Sequence, residues 1–217
     1  MEIVQAQEND LQEIISLLKI SLGEALMPKS EAYFLWKHIN NPFGKSIILL
    51  AKEDGKIIGI RTFMHWRWVN QHEIITAVRA VDTATHPDFQ GRGIFSKLTM
   101  QAVDKAIQHK ISFVFNTPNP ISLKGYLKLG WYSIGKMPVF FRWGSLFPRF
   151  YDSNFSEKIY DKYGAKIGIS KLNNNWEIKS HSDKLHTPIS VKYLTWRYVD
   201  CPVAEYGAIV EPEEFGI

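Results

Sequence analysis

The spacing of hydrophobic and polar positions predicts an alternation of strands and helices over the first two thirds of the chain. Residues 2–6 predict a short strand, and five aliphatic residues recur at helical spacing within residues 9–20. A second helix is expected at residues 29–39. Residues 46–69 predict two strands joined by a hairpin turn at Glu53-Asp54-Gly55, because an Asp-Gly pair suits a tight turn between apolar runs.

The pattern continues with a strand, a helix, a strand, a helix and one or two final strands. Their expected positions are residues 73–85, the segment up to about 109, 111–116, 119–130 and 131–143. The run at 111–116 is almost continuously apolar, which is typical of a strand covered on both faces. Antiparallel hairpins come first and β-α-β units later, so the fold class is α/β (mixed α+β), a mixed central sheet flanked by helices.

The composition becomes more aromatic and polar after residue 143. Near the end, a four-residue pattern of the first part recurs 160 positions later. Tyr33, Trp36, Lys37 and Pro42 return as Tyr193, Trp196, Arg197 and Pro202. The repeat predicts a helix and then a strand at residues 190–210, as at 30–50, while AKIGIS at 165–170 is strand-like. We therefore expect a first domain at 1–143 and a C-terminal extension at 144–217.

The composition is that of a globular protein, with 45% hydrophobic and 22% charged residues among 217. The net charge of +4 is small and the basic residues are scattered, which argues against nucleic-acid binding. Cys201 is the only cysteine, so no intramolecular disulfide forms and a reducing compartment is expected. The first residues do not resemble a signal peptide and no apolar run approaches the length of a membrane span. A cytoplasmic location with no membrane partner is the expectation.

The segment HPDFQGRGIF at 86–95 lies where a strand is expected to turn into a helix. A helix amino terminus presents unpaired N–H groups and a partial positive charge, and glycines allow a ligand to approach closely. Together with Arg92 these features favour a phosphate site. The spacing is neither that of a P-loop nor that of a dinucleotide fingerprint. A simple tight turn is the alternative interpretation.

Two motifs in this part of the chain resemble those of the GNAT acyltransferase superfamily, the acetyl-CoA-dependent N-acetyltransferases. The family's motif Gln/Arg-x-x-Gly-x-Gly/Ala is similar to Gln90-Gly-Arg-Gly-Ile-Phe95, with Phe95 in place of the usual small residue. The family's second motif, Asn-x-x-Ala-x-x-hydrophobic-Tyr-x-Lys-x-Gly-Phe, is similar to residues 119–131. There Ser122, Gly125 and Trp131 replace Ala, the hydrophobic residue and Phe. The resemblance covers residues 2–143 and implies the GNAT acyl-CoA N-acyltransferase fold, with the extension as a partial second GNAT-like half of a two-lobed form.

The resemblance also implies roles for individual residues. The backbone amides of Gln90, Gly91, Arg92, Gly93, Ile94 and Phe95 are expected to bind the CoA pyrophosphate. The strand end at Ala84 and Thr85 is expected to pair with the pantetheine arm, and the Asn119 side chain to hydrogen-bond it. Tyr126 is expected to protonate the departing CoA thiolate. Asn119 and Tyr126 are two helical turns apart, so they share a face.

The acceptor amine must lose a proton, and Asp82 is the candidate general base. On a regular strand Asp82 shares a face with apolar residues, which predicts a raised pKa. A salt bridge to Arg79 or Arg61, a bulge that changes the facing, and a water chain with no dedicated base are the alternatives. His65 and His86 are further candidates for the base. Arg61 and Arg67 are candidates to hold an acidic group of the acceptor, or belong to a solvated strand face.

The sequence shows no metal-binding cluster and no Cys/His pair, which favours direct transfer in a ternary complex of acetyl-CoA and a small-molecule or sugar amine. The alternatives are a non-catalytic module that keeps the fold and, more remotely, a nucleic-acid-binding domain. The acceptor and the oligomeric state, including a homodimer, stay open.

Overall fold

The structure is a computed structural model of the chain. It describes residues 1–25, 27–135, 161–172, 176, 183–210 and 215–216.

The first part of the chain follows the predicted order of elements, from β1 to α4. The strands are β1 (Glu2–Gln5), β2 (Ile47–Glu53), β3 (Lys56–Val69), β4 (Ile74–Thr85) and β5 (Phe113–Phe115). The helices are α1 (Leu11–Leu22), α2 (Glu31–His38), α3 (Ile94–Gln108) and α4 (Pro120–Lys128), with 3-10 turns at Glu8–Asp10 and Pro87–Phe89.

These five strands form one mixed sheet in the order β1-β2-β3-β4-β5. All neighbours are antiparallel except β4 and β5, which are parallel. The β2–β3 connection is tight because Asp54 and Gly55 both have positive φ, 52° and 77°, the conformation that an Asp-Gly turn favours. The predicted mixed sheet flanked by helices is confirmed.

Helices cover the two faces of this sheet with separate hydrophobic cores. On one face α1 and α2 pack on β2 and β3 through residues such as Leu18 and Phe34. On the other face the buried side of α3 packs together with Tyr126 of α4. The centre of the sheet is therefore buried on both sides, which leaves its ends as the places where a ligand can enter.

The end of the chain forms a second, smaller unit. Its elements are β6 (Asp161–Gly164), α5 (Ala165–Ser170), α6 (Val191–Leu194) with a π-helical turn at Thr195–Val199, β7 (Gly207–Val210) and β8 (Phe215–Gly216). Strands β6, β7 and β8 form an antiparallel sheet in that order. The predicted helix and strand within 190–210 are confirmed.

The second unit repeats the local structure of the first at the same offset of 160 residues. Ser190 caps helix α6 and its hydroxyl accepts from the Tyr193 amide, just as the Ser30 hydroxyl accepts from the Tyr33 amide at the start of α2. Strand β7 begins at Gly207, 160 positions after Ile47. A division at residue 143 falls within residues that the structure does not describe, so the proposed domain boundary stays a prediction.

Three sequence expectations need correction or stay open. AKIGIS is a helix rather than a strand, because Ala165, Gly168 and Ile169 are buried at helical spacing. Strand β5 is only half-buried, so its apolar run is not covered on both faces. Residues 131–135 contain no strand, and the rest of the expected final strands lies outside the described residues.

Candidate functional site

A cleft opens where β4 and β5 separate. Strand β5 pairs with β4 only over Ala77–Arg79, while β4 continues to Thr85. The edge of β4 beyond Arg79 therefore has no strand partner among the described residues. Free N–H and C=O groups at such an edge can pair with an amide-bearing ligand as a neighbouring strand would.

The loop after β4 places successive backbone amides at the start of α3. Gly91 and Gly93 have φ of +77° and +72°, a conformation that L side chains adopt rarely. A Cβ atom at either position would meet no other atom within 4 Å, so the space in front of both is open. Gly93 caps α3 without a side-chain hydrogen bond, which leaves the first-turn N–H groups of a 15-residue helix for a ligand. This geometry supports the interpretation of the loop as a phosphate site. The positive φ angles also explain why glycine occupies positions 91 and 93.

The Arg92 side chain is already engaged. Its guanidinium donates to both carboxylate oxygens of Glu53, at 2.9 and 2.7 Å, and lies over the Phe89 ring. The pair is partly exposed. Arg92 therefore brings much less free positive charge to the loop than its sequence position suggests.

Asn119 combines helix capping with an available amide. Its Oδ1 accepts from the Ser122 amide at 2.8 Å and from the Ser122 hydroxyl at 2.9 Å. The residue is exposed at the start of α4. The predicted cap is confirmed, and its Nδ2 group can donate to a ligand.

Most of the expected cofactor-binding residues line a single cavity of about 620 Å³. It contains Ala84, Thr85, Gln90, Gly91, Gly93, Ile94, Phe95 and Asn119, together with Ser21, Leu22, Thr83, Phe89, Ser122 and Gly125. Arg92, Tyr126 and Asp82 are not among its lining residues. Sequence reasoning missed the residues that the end of α1 contributes to the cavity. The Ser21 hydroxyl donates to the Thr85 carbonyl at the end of β4, at 3.3 Å. Nothing in the local sequence around Ser21 indicates this contact.

The two departures from the family motifs, Phe95 and Gly125, compensate for each other. The Phe95 ring turns inward and packs edge-on against Tyr126, with ring centroids 5.4 Å apart. A Cβ atom on Gly125 would lie 2.9 Å from Cε1 of Phe95, so the large residue needs a glycine opposite it. Because the Phe95 side chain points inward, its backbone amide keeps its place in the loop.

Tyr126 lies under this ring, 4% exposed. Its hydroxyl oxygen accepts a hydrogen bond from Nη1 of Arg61 at 2.8 Å. The same Nη1 also donates to the Thr83 hydroxyl, and Thr83 lines the cavity. The phenol and the cavity wall are therefore linked through one guanidinium.

The environment of Asp82 differs from the expectation. A bulge in β4 places Asp82 at a positive φ of 41°, so the regular alternation of faces ends there. Its Oδ2 receives hydrogen bonds from Nζ of Lys37 and Nε2 of His38, each at 2.7 Å. Burial alone would raise the pKa of this carboxyl, but the bonds from His38 and Lys37 outweigh burial and hold the pKa well below its ordinary value. The expected raised pKa is wrong, and the salt bridge is to Lys37 and His38 rather than to Arg79 or Arg61.

His38 is fully buried, and burial keeps its pKa below the ordinary value even though Asp82 opposes this. The neutral ring donates from Nε2 to Asp82 and accepts at Nδ1 from the Ser46 hydroxyl at 2.9 Å. This chain of hydrogen bonds from Ser46 through His38 orients the Asp82 carboxylate. Asp82 is therefore poorly suited to take up a proton.

The other residues considered for the base and the acceptor lie outside the cavity lining. His65 is half-buried on β3, where burial lowers its pKa, and His86 accepts from the Asp88 amide at 3.3 Å. Arg67 is exposed. Arg61 is fully buried, so it does not belong to a solvated strand face.

The family model described as the acetyltransferase (GNAT) domain matches residues 2–134. The chain belongs to this family. The GNAT domain accordingly makes it an acetyl-CoA-dependent acetyltransferase. No curated protein sequence matches the chain at a significant level.

Solved structures agree with the GNAT fold at low sequence identity. A predicted acetyltransferase with acetyl-CoA from Clostridium acetobutylicum is 18% identical with a TM-score of 0.54, and the match covers 64% of this chain and 94% of that one. An aminoglycoside antibiotic 6'-N-acetyltransferase from Acinetobacter haemolyticus is 21% identical (TM-score 0.52; 65% and 98% covered). A ribosomal-protein-alanine N-acetyltransferase from Brucella melitensis is 19% identical (TM-score 0.52; 65% and 100% covered). These likenesses concern the fold.

Two features are absent from the part of the chain that the structure describes. None of their helices is both long and apolar enough to cross a membrane. Within the same residues no three His, Cys, Asp or Glu side chains are grouped so that they could hold a metal ion.

Proposed function

We propose that this GNAT domain transfers an acetyl group from acetyl-CoA to the primary amine of a small molecule or an amino sugar, with both substrates bound together. The observation that carries the proposal is the single cavity that joins the free edge of β4, the amino terminus of α3 and Asn119. These are groups that suit an amide-bearing arm and a pyrophosphate. An aminoglycoside acetyltransferase among the similar structures supports an amino-sugar acceptor.

In this proposal the backbone amides of residues 90–95 bind the pyrophosphate, with little help from the Arg92 side chain because Glu53 neutralises it. The β4 edge at Ala84 and Thr85 pairs with the pantetheine amides. The Asn119 side chain donates its amide to the same arm. In this proposal the thioester lies near Thr83, the lining residue whose hydroxyl contacts Arg61, and Arg61 in turn contacts Tyr126.

The amine nitrogen attacks the thioester carbonyl, the C–S bond breaks, and Tyr126 gives its proton to the thiolate. The amine loses its own proton through water rather than to Asp82, because Lys37 and His38 hold that carboxylate ionised and bound. The described lining contains serine and threonine but no histidine or cysteine, which supports direct transfer without an acyl-enzyme.

Thermal unfolding with and without acetyl-CoA tests the cofactor site. A ligand at ~100 times its dissociation constant adds about 2.7 kcal/mol of stability. Gly91→Glu should abolish the shift, since it places a negative side chain in the loop. Gly55→Glu is the matched control, because Gly55 has the same φ of +77° and equally open surroundings. No shift in the wild-type protein would overturn the proposed site.

Turnover is tested by the release of free CoA thiol with glucosamine, neamine and a peptide with an N-terminal alanine as acceptors. The proposal expects glucosamine or neamine to release thiol fastest. Acetyl-CoA binding without thiol release from any of the three would favour the non-catalytic alternative.

A further inference from the structure

Arg61 is a buried cation in the middle of β3. Its side chain has no exposed surface. Nη1 donates to the Tyr126 hydroxyl oxygen at 2.8 Å and to the Thr83 hydroxyl. Arg61 thus connects the proposed proton donor to the wall of the cavity.

The surroundings of this guanidinium are aromatic rather than acidic. Its central carbon lies 5.1, 5.3 and 5.0 Å from the ring centres of Phe63, Phe95 and Tyr126. Nε and Nη2 are buried without a hydrogen-bond partner, and Arg61 forms no ion pair with a described carboxylate. Burial lowers the pKa of Arg61, but the side chain stays charged at neutral pH.

An unpaired buried cation costs folding free energy, since the rings replace only part of its lost hydration. An apolar side chain of similar length would fill the same space without that cost. Stability therefore does not account for an arginine at this position, and the hydrogen bond to Tyr126 is where it can act.

Arg61 constrains the direction of the Tyr126 proton. A guanidinium can only donate, so the phenol oxygen must accept from it and turn its own O–H elsewhere. That leaves the Tyr126 proton free to be given away. Arg61 has no exposed surface and Tyr126 is 4% exposed, and this burial strengthens the interaction between charges inside.

We propose that Arg61 is a positioning residue that orients the Tyr126 hydroxyl and stabilises the phenolate formed when Tyr126 protonates the CoA thiolate. In that step the O–H bond breaks, an S–H bond forms, and the electron pair left on the phenol oxygen faces the guanidinium. The hydrogen bond at 2.8 Å, which joins a cation to a neutral oxygen, then joins two opposite charges. The phenolate regains a proton through water from the amine that has attacked. The inference rests on the proposed function of Tyr126.

A double-mutant cycle on kcat tests this role, with Arg61→Met, Tyr126→Phe and the double variant. The substrates are acetyl-CoA and the amine that reacts fastest among the three acceptors. If none of the amines reacts, hydrolysis of acetyl-CoA by water is measured instead. Arg61→Met should lower kcat about 10²-fold while the dissociation constant of acetyl-CoA stays unchanged. In the Tyr126→Phe background the same change should lower kcat by less than about 3-fold, since the group through which Arg61 acts is gone.

Two further variants separate catalysis from folding. Arg61→Lys retains the charge and should recover part of kcat. Phe63→Leu removes one of the three rings around the guanidinium but keeps its charge and its hydrogen bonds, so it should lower thermal stability and leave kcat close to that of the wild type. Equal losses of kcat for Phe63→Leu and Arg61→Met would overturn the inference in favour of a packing role.

The experiment distinguishes a failure of the proposed acid role of Tyr126 from a failure of the inference about Arg61. If Tyr126→Phe keeps full kcat, the proposed acid role of Tyr126 fails and the inference about Arg61 fails with it. If Tyr126→Phe loses kcat but Arg61→Met has the same effect in both backgrounds, only the inference about Arg61 fails.

Discussion

Trp36 and Trp196 stack on each other and each indole donates a hydrogen bond to the backbone carbonyl of the other residue. The ring centroids lie 4.8 Å apart with an interplanar angle of 12°. The bond from Trp36 is 2.7 Å and the reciprocal bond from Trp196 is 2.9 Å. The two residues occupy corresponding positions of α2 and of the repeated helix, so the two copies of one motif contact each other through the same residue.

This pair is expected to be a major contact between the GNAT domain and the C-terminal unit. Truncating either buried indole to alanine should lower the free energy of unfolding by about 3–5 kcal/mol, because a large cavity opens and a buried carbonyl loses its donor. The double variant should lose clearly less free energy of unfolding than the two single variants together, since each single change already breaks both contacts. Urea denaturation measures this, and additive losses would contradict the reciprocal pair.

The compensation between Phe95 and Gly125 predicts that the effect of Gly125→Ala on stability changes sign when Phe95 is removed. Gly125→Ala alone should be destabilising, by about 1 kcal/mol or more, because the new Cβ meets the Phe95 ring at 2.9 Å. In a Phe95→Ala background the same substitution should stabilise by about 1 kcal/mol, since alanine is the better helix former and the clash is gone. Thermal unfolding of the four proteins decides this, and a stabilising effect in both backgrounds would mean that the ring does not require the glycine.

The ion pair at Asp82 predicts a loss of stability in acid. Its folded-state pKa is lowered, so its stabilisation is fully present above the unfolded value of about 3.9 and is lost as the pH falls through that value towards the folded one. At neutral pH, Asp82→Asn should cost about 3 kcal/mol because Lys37 and His38 lose their shared partner.

The pH dependence separates this ion pair from other carboxyl groups. The difference in unfolding free energy between the wild type and Asp82→Asn should shrink as the pH falls below about 4. Denaturant titrations at several pH values measure it. A difference that stays constant over this range would show that the carboxylate is not held ionised by its partners.

The Arg92–Glu53 pair predicts that removal of the acid strengthens cofactor binding. Glu53→Gln frees a guanidinium next to the loop, so the affinity for CoA should rise by about 2- to 5-fold at low salt, as an exposed pair is worth up to about 1 kcal/mol. Arg92→Ala should change the affinity less than Gly91→Glu does. Isothermal titration calorimetry provides the measurement, and weaker binding to Glu53→Gln would contradict it.

Local sequence was enough to predict the order of elements from β1 to α4, the hairpin turn, the cap at Asn119 and the loop at 90–95. Each of these depends on residues close together in the chain: an apolar period, an Asp-Gly pair, or an Asn-Pro pair before a helix. The offset of 160 residues between Trp36 and Trp196 was also readable, because a repeat is a property of the chain.

Which side chains act together follows from contacts that the folded chain makes. The bulge at Asp82 changes its facing, and its partners Lys37 and His38 lie on α2, more than 40 residues away. An arginine within an apolar strand is ambiguous in sequence, whereas the packing of α3 and α4 encloses Arg61 and aims it at Tyr126. Burial and charge pairing depend on contacts between segments that are distant in the chain, and no local pattern records such contacts.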